Sequence, residues 1–268
     1  MGTLEGKAAI VLGASKAGNM GQVIAKRFRD EGARVLVAGR DEAEVERFAR
    51  AEGMEGIACD ITDKARIRAM ADKALASFGK IDIAVNAAGW AQSRPFLDVD
   101  DALLDQVIAI QFKGPFQFFQ VMLEAMGKGG GGSLIQISSA TATIMTQDYA
   151  PYMGTKAGID HVIRAIANEF GDKGIRANSI SPGLTETPMT EAVFKVPGIA
   201  EAFAASYPLG RVGTSEDIAA AAVWLAGDEC FMTGENLMVN GGLKLRGNPT
   251  AAVRAMYVER AATGVVTV

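Results

Sequence analysis

Histidine and cysteine are scarce in this 268-residue sequence, which has one histidine, His161, and two cysteines, Cys59 and Cys230. His161 lies inside a predicted helix without metal-binding residues beside it, so we expect it to be structural and expect no metal site. The cysteines are far apart with apolar residues close to each, which favours reduced core thiols over a disulfide. We therefore expect a reducing compartment, the cytoplasm.

The chain also lacks an excess of charge of one sign and a long apolar run. Its 27 basic and 31 acidic residues are interspersed, so we expect no surface for nucleic acid. The start of the chain has no apolar run long enough for a signal peptide. No later run approaches the roughly 18 apolar residues of a membrane span. We expect a soluble protein that binds a small molecule and no membrane.

Short β-branched apolar runs alternate with longer helical patterns as far as about residue 240. The predicted strands are 7–12, 34–38, 56–59, 82–86, 133–137, 175–180 and 236–240, and the predicted helices include 42–52, 64–79, 100–127, 151–172 and 215–227. This alternation is typical of a parallel sheet covered on both faces. The sequence therefore predicts a single-domain α/β fold, a Rossmann-type doubly wound sheet of about seven strands, which binds ligands beyond the carboxyl ends of its strands.

Three segments are distinguished by composition or position. The glycine-rich residues 127–132 predict a turn after a helix. Residues 184–214 contain three prolines and are longer than an ordinary connection, so we predict a substrate lid within a dinucleotide-binding domain of residues 1–242. Residues 243–268 form a C-terminal extension with helical character. We expect the extension either to pack on a neighbouring subunit or border its active site, or to be disordered.

The first predicted strand runs into the sequence GASKAGNMG, which precedes a helical pattern. Glycines here permit a tight turn and a close approach of the backbone to a pyrophosphate, and a helix N-terminus binds anions. Taken alone, this pattern fits a dinucleotide site and an ordinary turn about equally. The residues that we assign to the dinucleotide site are Gly13, Ser15, Lys16, Gly18, Asn19, Met20 and Gly21.

The end of the second predicted strand bears on the choice of cofactor. An acidic residue that binds the ribose of NAD is expected there, but the sequence has Gly39 and Arg40, with Lys16 in the glycine loop. Two cations would pair with a ribose 2′-phosphate, which favours NADP(H). Asp41 would accept from a ribose hydroxyl if the loop shifted by one residue, which keeps NAD(H) open. Arg40 would alternatively be only a solvated charge at a helix start.

Taken together, the motifs resemble those of the short-chain dehydrogenase/reductase family over about residues 5–242. They are the glycine loop, ACDITD at 58–63, NAAG at 86–89, ISS at 137–139, Y-x-x-x-K at 152–156, SPG at 181–183, Thr187 and TGENLMVNGG at 233–242. The resemblance implies an NAD(P)-dependent oxidoreductase that acts on CH-OH groups. It implies further cofactor contacts from Asp60 and Ile61 at the adenine, from Asn86, Ala87, Ala88 and Gly89 along the cleft, and from Pro182, Gly183, Thr185 and Thr187 at the nicotinamide end.

Two tyrosines, Tyr149 and Tyr152, precede Lys156 at spacings that put both on one helical face. The resemblance implies a catalytic serine thirteen residues before the tyrosine, and Ser139 has that spacing from Tyr152. Pro151 suits the first turn of a helix, which leaves Tyr149 in the preceding loop. We therefore assign Ser139, Tyr152 and Lys156 as catalytic residues. Lys156 and the oxidised nicotinamide would stabilise the tyrosinate form of Tyr152. The side chains of Tyr152 and Lys156 would both contact the cofactor.

Two features depart from the common family pattern. Gln111, a fourth predicted catalytic residue, stands where the resemblance implies an asparagine in a water-mediated proton path. The glycine loop is about two residues longer than usual, as in the enoyl-acyl-carrier-protein reductases, whose tyrosine and lysine have the spacing of Tyr149 and Lys156. Those enzymes lack a serine at the position of Ser139, so the serine favours carbonyl chemistry. The alternatives are an enoyl-thioester reductase and an NADP-binding sensor or regulator with impaired turnover.

Apolar residues near the expected mouth of the cleft predict a hydrophobic or alicyclic secondary alcohol and its ketone as substrates. The predicted substrate residues are Trp90, Ser139, Met145, Tyr149, Tyr152 and Met189, and the residues expected to line the pocket or to pack in the lid are Phe96, Phe194, Phe203 and Tyr207. The predicted helix 100–127 is apolar on more than one face and must be covered. The resemblance implies a homotetramer, or at least a dimer, that covers it.

Overall fold

The computed structural model describes residues 2–127 and 129–264, and its centre is a sheet of seven parallel strands. The strands are β1 (Ala8–Leu12), β2 (Arg34–Gly39), β3 (Glu55–Ala58), β4 (Ile83–Asn86), β5 (Gly132–Ile137), β6 (Ile175–Pro182) and β7 (Asn236–Val239). Their order in the sheet is β3-β2-β1-β4-β5-β6-β7. The predicted doubly wound fold is confirmed, and its strand order reverses between β1 and β4, the position at which such sheets bind ligands.

Helices cover both faces of the sheet. They are α1 (Met20–Asp30), α2 (Glu42–Glu52), α3 (Lys64–Phe78), α4 (Asp101–Ile108), α5 (Gly114–Met126), α6 (Ala150–Phe170), α7 (Glu191–Phe194), α8 (Ile199–Ser206), α9 (Ser215–Ala226), α10 (Leu243–Arg246) and α11 (Ala251–Thr263). Side chains of β1 alternate between the faces, so Val11 packs with α1, α2 and α9, whereas Ile10 packs with α3, α5 and α6. In the described part of the chain, no helix is long and apolar enough to cross a membrane.

The predicted helix over 100–127 is not regular. A π-helical turn, Ala109–Lys113, joins α4 to α5, and the amide of Gly114 donates to the carbonyl of Ala109. Pro115 follows in the first turn of α5, and it has no N–H to donate to the carbonyl of Gln111 four residues earlier. A π turn is often found at a functional site. Of the predicted turn at 127–132, Lys128 lies outside the described residues.

The described part of the C-terminal extension packs against the lid segment of the same chain. Helix α11 contacts α8, and Asn248 Nδ2 donates to the carbonyl of Met145 (3.0 Å). Arg246 Nη1 donates to the carbonyl of Ala205 in α8 (3.2 Å). The extension therefore connects the lid to the loop that precedes α6. Residues 265–268 of the predicted extension lie outside the described residues.

The contact between α11 and the lid predicts that Gly198→Ala lowers the melting temperature more than Gly210→Ala does. Both glycines have positive φ, 83° and 72°, so an added Cβ costs about 1–2 kcal/mol at either position. At Gly198 the Cβ would also lie 2.3 Å from the carbonyl oxygen of Tyr257, whereas nothing is within 4 Å at Gly210. Thermal unfolding of the three proteins measures the difference, and equal shifts would contradict this packing.

Candidate active site

A cleft of about 780 Å³ opens at the carboxyl ends of the strands, between the glycine loop, the end of β5, α6 and the start of the lid. Most of the predicted site residues line it: Gly13, Ser15, Lys16, Asn19, Met20, Gly21, Arg40, Asp60, Ile61, Ala87, Ala88, Gly89, Trp90, Ser139, Tyr152, Lys156, Pro182, Gly183, Thr185, Thr187 and Met189. The structure thus brings together side chains from positions 13 to 189 of the sequence.

The glycine loop is hydrogen-bonded to the N-terminus of α1. Asn19 caps this helix, because its Oδ1 accepts from the backbone amide of Gln22 (3.0 Å), and its side-chain Nδ2 donates to the carbonyl of Gly13 (2.8 Å). Gly13 has a φ of 115°, and a Cβ there would lie 2.5 Å from the carbonyl carbon of Ala87. The close approach of two backbones beside a helix N-terminus fits a pyrophosphate.

Gln22 holds the glycine loop in place, and the sequence reasoning did not single it out. It is buried, and its Oε1 accepts from the amide of Gly18 in the loop (3.0 Å). Its Nε2 donates to Glu44 Oε1 of α2 (2.7 Å), which couples the glycine loop to the helix that follows β2. The only sequence signal was a polar residue at an otherwise apolar position of α1.

At the end of the cleft beside β2, two cationic side chains lie near a carboxylate that already accepts a hydrogen bond. Lys16 and Arg40 line the cleft and are exposed. The amide of Arg40 donates to Ser15 Oγ (2.7 Å), which fixes the end of β2 against the glycine loop. Asp41 also lines the cleft, but its carboxylate caps α2 by accepting from the amide of Glu44 (3.1 Å). A carboxylate that caps a helix is less available to a ribose hydroxyl.

The candidate catalytic residues meet where β5 ends beside α6. Helix α6 begins at Ala150, so Tyr149 precedes it, as predicted. Lys156 is buried, and its Nζ donates to the carbonyl of Ile137 (2.8 Å) and lies 5.6 Å from the centre of the Tyr152 ring. The hydroxyl of Ser139 is hydrogen-bonded to that of Thr141 (2.9 Å) and is close enough to the phenol of Tyr152 to affect its pKa.

Burial controls the proton affinities of this group. Burial raises the pKa of Tyr152, the Ser139 hydroxyl lowers it, and the charges of Tyr149 and Asp160 raise it. Burial lowers the pKa of Lys156 to about 8, against the opposite effect of the Asp160 charge. The phenol therefore retains its proton at neutral pH, while the lysine changes charge not far above neutrality.

Gln111 lies behind the cleft wall rather than on it. It is 2% exposed, and neither atom of its amide has a hydrogen-bond partner among the described residues. A Cβ built on Gly89 would be 3.4 Å from Gln111 Oε1 and 3.9 Å from Lys156 Nζ. The side chain that the sequence analysis assigned to a proton path therefore lies beside Gly89, as does the Lys156 ammonium, and its buried amide has no partner in the described part of the chain.

Four other predicted residues also lie outside the lining of the cleft. Asn86 is fully buried and shapes the turn after β4, because it donates to Gln136 Oε1 (2.8 Å) and accepts from the amide of Ala88 (3.1 Å). Gly18 lies on the outer side of the glycine loop, beside the lid. Met145 is 68% exposed. Tyr149 packs its ring edge against Tyr152, with 6.4 Å between centroids.

Two of the apolar residues expected at the cleft mouth, Trp90 and Met189, line the cleft. Tyr207 instead belongs to a small core under the lid, where its hydroxyl donates to the carbonyl of Leu184 (3.2 Å), and Phe203 packs against that core. Phe96 is 75% exposed. The sequence reasoning did not assign Cys59, Ile110, Ile137, Ser138, Pro188 and Thr190 to the lining. Ile137 and Ser138 could have been predicted from the sequence, because they belong to the ISS motif.

Comparison with known proteins agrees with this geometry. A family model described as enoyl-(acyl carrier protein) reductase matches residues 13–244. The chain belongs to the short-chain dehydrogenase/reductase family, whose members are oxidoreductases that bind a nicotinamide cofactor. The glycine loop, the helix N-terminus and the cleft at the strand reversal fit such a cofactor.

Individual relatives are similar over nearly the whole chain. D-threitol dehydrogenase of Mycolicibacterium smegmatis is 34% identical over 249 residues, which are 91% of this chain and 95% of that protein. The 3-oxoacyl-[acyl-carrier-protein] reductase FabG of Escherichia coli is 34% identical over 245 residues, 89% of this chain and 98% of that protein. A short-chain dehydrogenase/reductase structure from Mycobacterium ulcerans has a TM-score of 0.89 at 26% identity and covers 98% of this chain and 99% of its own.

The unpaired amide of Gln111 predicts that Gln111→Met keeps or raises the melting temperature. Replacing a buried polar group without protein partners by an apolar group of similar shape is nearly neutral or stabilising. Gln136→Met is the matched control, because Gln136 is equally buried and accepts from Asn86. Its loss leaves that amide unpaired at a cost of about 1–3 kcal/mol. Thermal unfolding measures both variants, and a larger loss at Gln111 would show that its amide has a strong partner.

Proposed function

We propose that this protein is an NADP(H)-dependent oxidoreductase that interconverts a hydrophobic or alicyclic secondary alcohol and its ketone. The observation that carries the proposal is the position of Tyr152 on the cleft wall, between Ser139, two residues after the end of β5, and Lys156, one helical turn onward. Both named relatives support this reaction class, since one is a D-threitol dehydrogenase and the other a 3-oxoacyl reductase.

The bound nicotinamide would supply the hydride for ketone reduction and accept it in alcohol oxidation. In reduction, Tyr152 donates its proton to the ketone oxygen, and its raised pKa keeps that proton available at neutral pH. The Ser139 hydroxyl donates to the same oxygen and orients the carbonyl carbon. In oxidation, the phenolate must form first, and the Lys156 ammonium stabilises it. This support weakens as the pH rises through the pKa of Lys156, about 8.

Tyr152→Phe should lower kcat for ketone reduction by about 10²–10⁴-fold, the usual contribution of a general acid, while the Kd for NADPH stays the same. Tyr149→Phe is the matched control and should retain kcat within about tenfold, since Tyr149 precedes α6 and does not line the cleft. NADPH absorbance with a panel of cyclic and aryl ketones measures both. Activity that survives in Tyr152→Phe, or disappears in Tyr149→Phe, would contradict the assignment.

Reduction of an enoyl thioester is the second candidate. The description of the matching family model favours it, as does the spacing of Tyr149 from Lys156. The proximity of Ser139 to Tyr152 favours carbonyl chemistry instead. Parallel assays with NADPH and either a ketone or an enoyl thioester distinguish the two reactions. A sensor or regulator with impaired turnover would bind NADPH and consume neither substrate.

The preference for NADP(H) over NAD(H) is supported by the charges at the far end of the cleft. Lys16 and Arg40 are exposed there and can pair with a 2′-phosphate, while the carboxylate of Asp41 caps α2. Guanidinium and phosphate form bidentate, charge-assisted bonds. Asp60 accepts from the amide and hydroxyl of Thr62 (2.9 and 2.7 Å), which fixes the adjoining adenine-side loop.

Arg40→Ala should raise KM for NADPH about tenfold or more and change KM for NADH little, because a hydrogen bond to a charged group contributes about 1.5–3 kcal/mol. Asp41→Asn is the control. Asparagine also caps helices, so this variant keeps α2 and removes only the charge, and the preference for NADPH should persist. Initial rates with both cofactors measure the ratio. An equal loss for NADPH and NADH in Arg40→Ala would argue against a 2′-phosphate contact.

We also infer a homotetramer, or at least a dimer, and a cytoplasmic location. Leu104, Ile108 and Phe116 on α4 and α5 are 38–40% exposed, which is a surface that a second subunit would cover. Cys59 and Cys230 are buried free thiols, as expected in a reducing compartment.

A further inference from the structure

Asp160 is a buried carboxylate that the chemistry above does not use. It lies four residues after Lys156 on α6 and is 7% exposed. Its oxygens accept from Ser138 Oγ (2.8 Å), Ser179 Oγ (2.7 Å) and Asn236 Nδ2 (2.6 Å). Ser138 directly follows β5, Ser179 belongs to β6 and Asn236 begins β7. One carboxylate therefore joins α6 to three neighbouring strands.

The hydrogen bonds of Asp160 alone do not account for a charged side chain at this position. All three donors are uncharged. Burying a carboxylate costs free energy unless the charge is paired as well as hydrogen-bonded. The charged groups seen to act on Asp160 among the described residues are Lys156 and Arg164, both on its own helix. Its carboxylate in turn acts on Lys156 and on Tyr152, on which Tyr149 also acts. The carboxylate therefore acts on both members of the catalytic pair.

We propose that Asp160 is the positioning residue of the active site, which holds the end of β5 against α6 and places a carboxylate one helical turn after Lys156. This inference rests on the proposed function. Residues 137–139 contact α6 in succession, at Lys156, at Asp160 and close to Tyr152. The central contact is the one made by Asp160. A shift of β5 along α6 would change the distance from Ser139 to Tyr152.

The charge has an effect that the hydrogen bonds do not have. Burial lowers the pKa of Lys156 to about 8, and the carboxylate of Asp160 acts against that shift. Burial of the phenol is the main cause that raises the pKa of Tyr152, and the carboxylate of Asp160 raises it further. Removing the negative charge therefore lowers the pKa of both groups. Both protons are then lost at lower pH.

Asp160→Asn should move two limbs of the pH profile downward by about one pH unit, the lower range for a nearby charge. The limbs are the alkaline limb of kcat for ketone reduction with NADPH and the acid limb of kcat for alcohol oxidation with NADP⁺. Asn236→Ala is the matched control, because it removes one hydrogen bond to the carboxylate and leaves in place the Ser179 and Ser138 hydroxyls, which lower the pKa of Asp160 against the effect of burial. It should leave both limbs in place whatever it does to kcat. A fall in kcat without displacement of either limb in Asp160→Asn would overturn the proposal.

An exchange of the two bonded residues, Asp160→Asn with Asn236→Asp, guards against loss of folding. It keeps the total charge and the pair of side chains and moves the carboxylate from α6 to β7, across the 2.6 Å hydrogen bond that joins the two residues. Because the charge stays close to its original place, the limbs should return toward their wild-type positions, and limbs at the positions of Asp160→Asn in the folded exchanged protein would overturn the proposal.

If the wild-type protein reduces no ketone, the proposed function fails, and the role of Asp160 is tested separately. Tyrosinate absorbance of the NADP-bound protein, with the Tyr152→Phe signal subtracted, gives the pKa of Tyr152. The proposal then requires a lower pKa in Asp160→Asn, and an unchanged value would overturn it.

Discussion

The catalytic site depends on how the end of β5 is held against α6. A strand end and a helix start are both places where backbone groups lack regular hydrogen-bond partners. Here side chains of α6 supply partners to groups at the end of β5. The Lys156 ammonium donates to the last backbone carbonyl of β5, and the Asp160 carboxylate accepts from the hydroxyl of the serine that follows. The phenol of Tyr152 lies close to the hydroxyl of the next serine. Fixed backbone geometry thus determines where the proposed proton donor lies in the cleft.

The fold follows closely from local sequence patterns because apolar strands and helices alternate. Right-handed crossovers then leave few strand orders to choose from. The position of Tyr149 before α6 was also accessible, since Pro151 limits where the helix can begin. Packing at a distance was not accessible. The π turn around Gln111 needs both Pro115 and the surroundings of α5, and the bonds of Asp160 to Ser138, Ser179 and Asn236 join segments up to 76 residues apart.

Polar groups at the site are arranged for chemistry at some expense of stability. A buried lysine whose pKa is lowered, a buried carboxylate with neutral donors and an unpaired amide at Gln111 are each unfavourable for folding alone. The two large apolar clusters on either side of the sheet offset that cost. Strain and unpaired polarity confined to one end of a well-packed sheet are a common property of enzymes.

The C-terminal segment limits the independent movement of residues 184–214. Helix α11 contacts α8 in those residues, while Asn248 is bonded to the loop before α6. Two parts of the chain are thereby linked, and a displacement that separates α8 from this loop requires the linking contacts to break first. The linking segment lies almost entirely beyond the residues shared with the family model, 13–244.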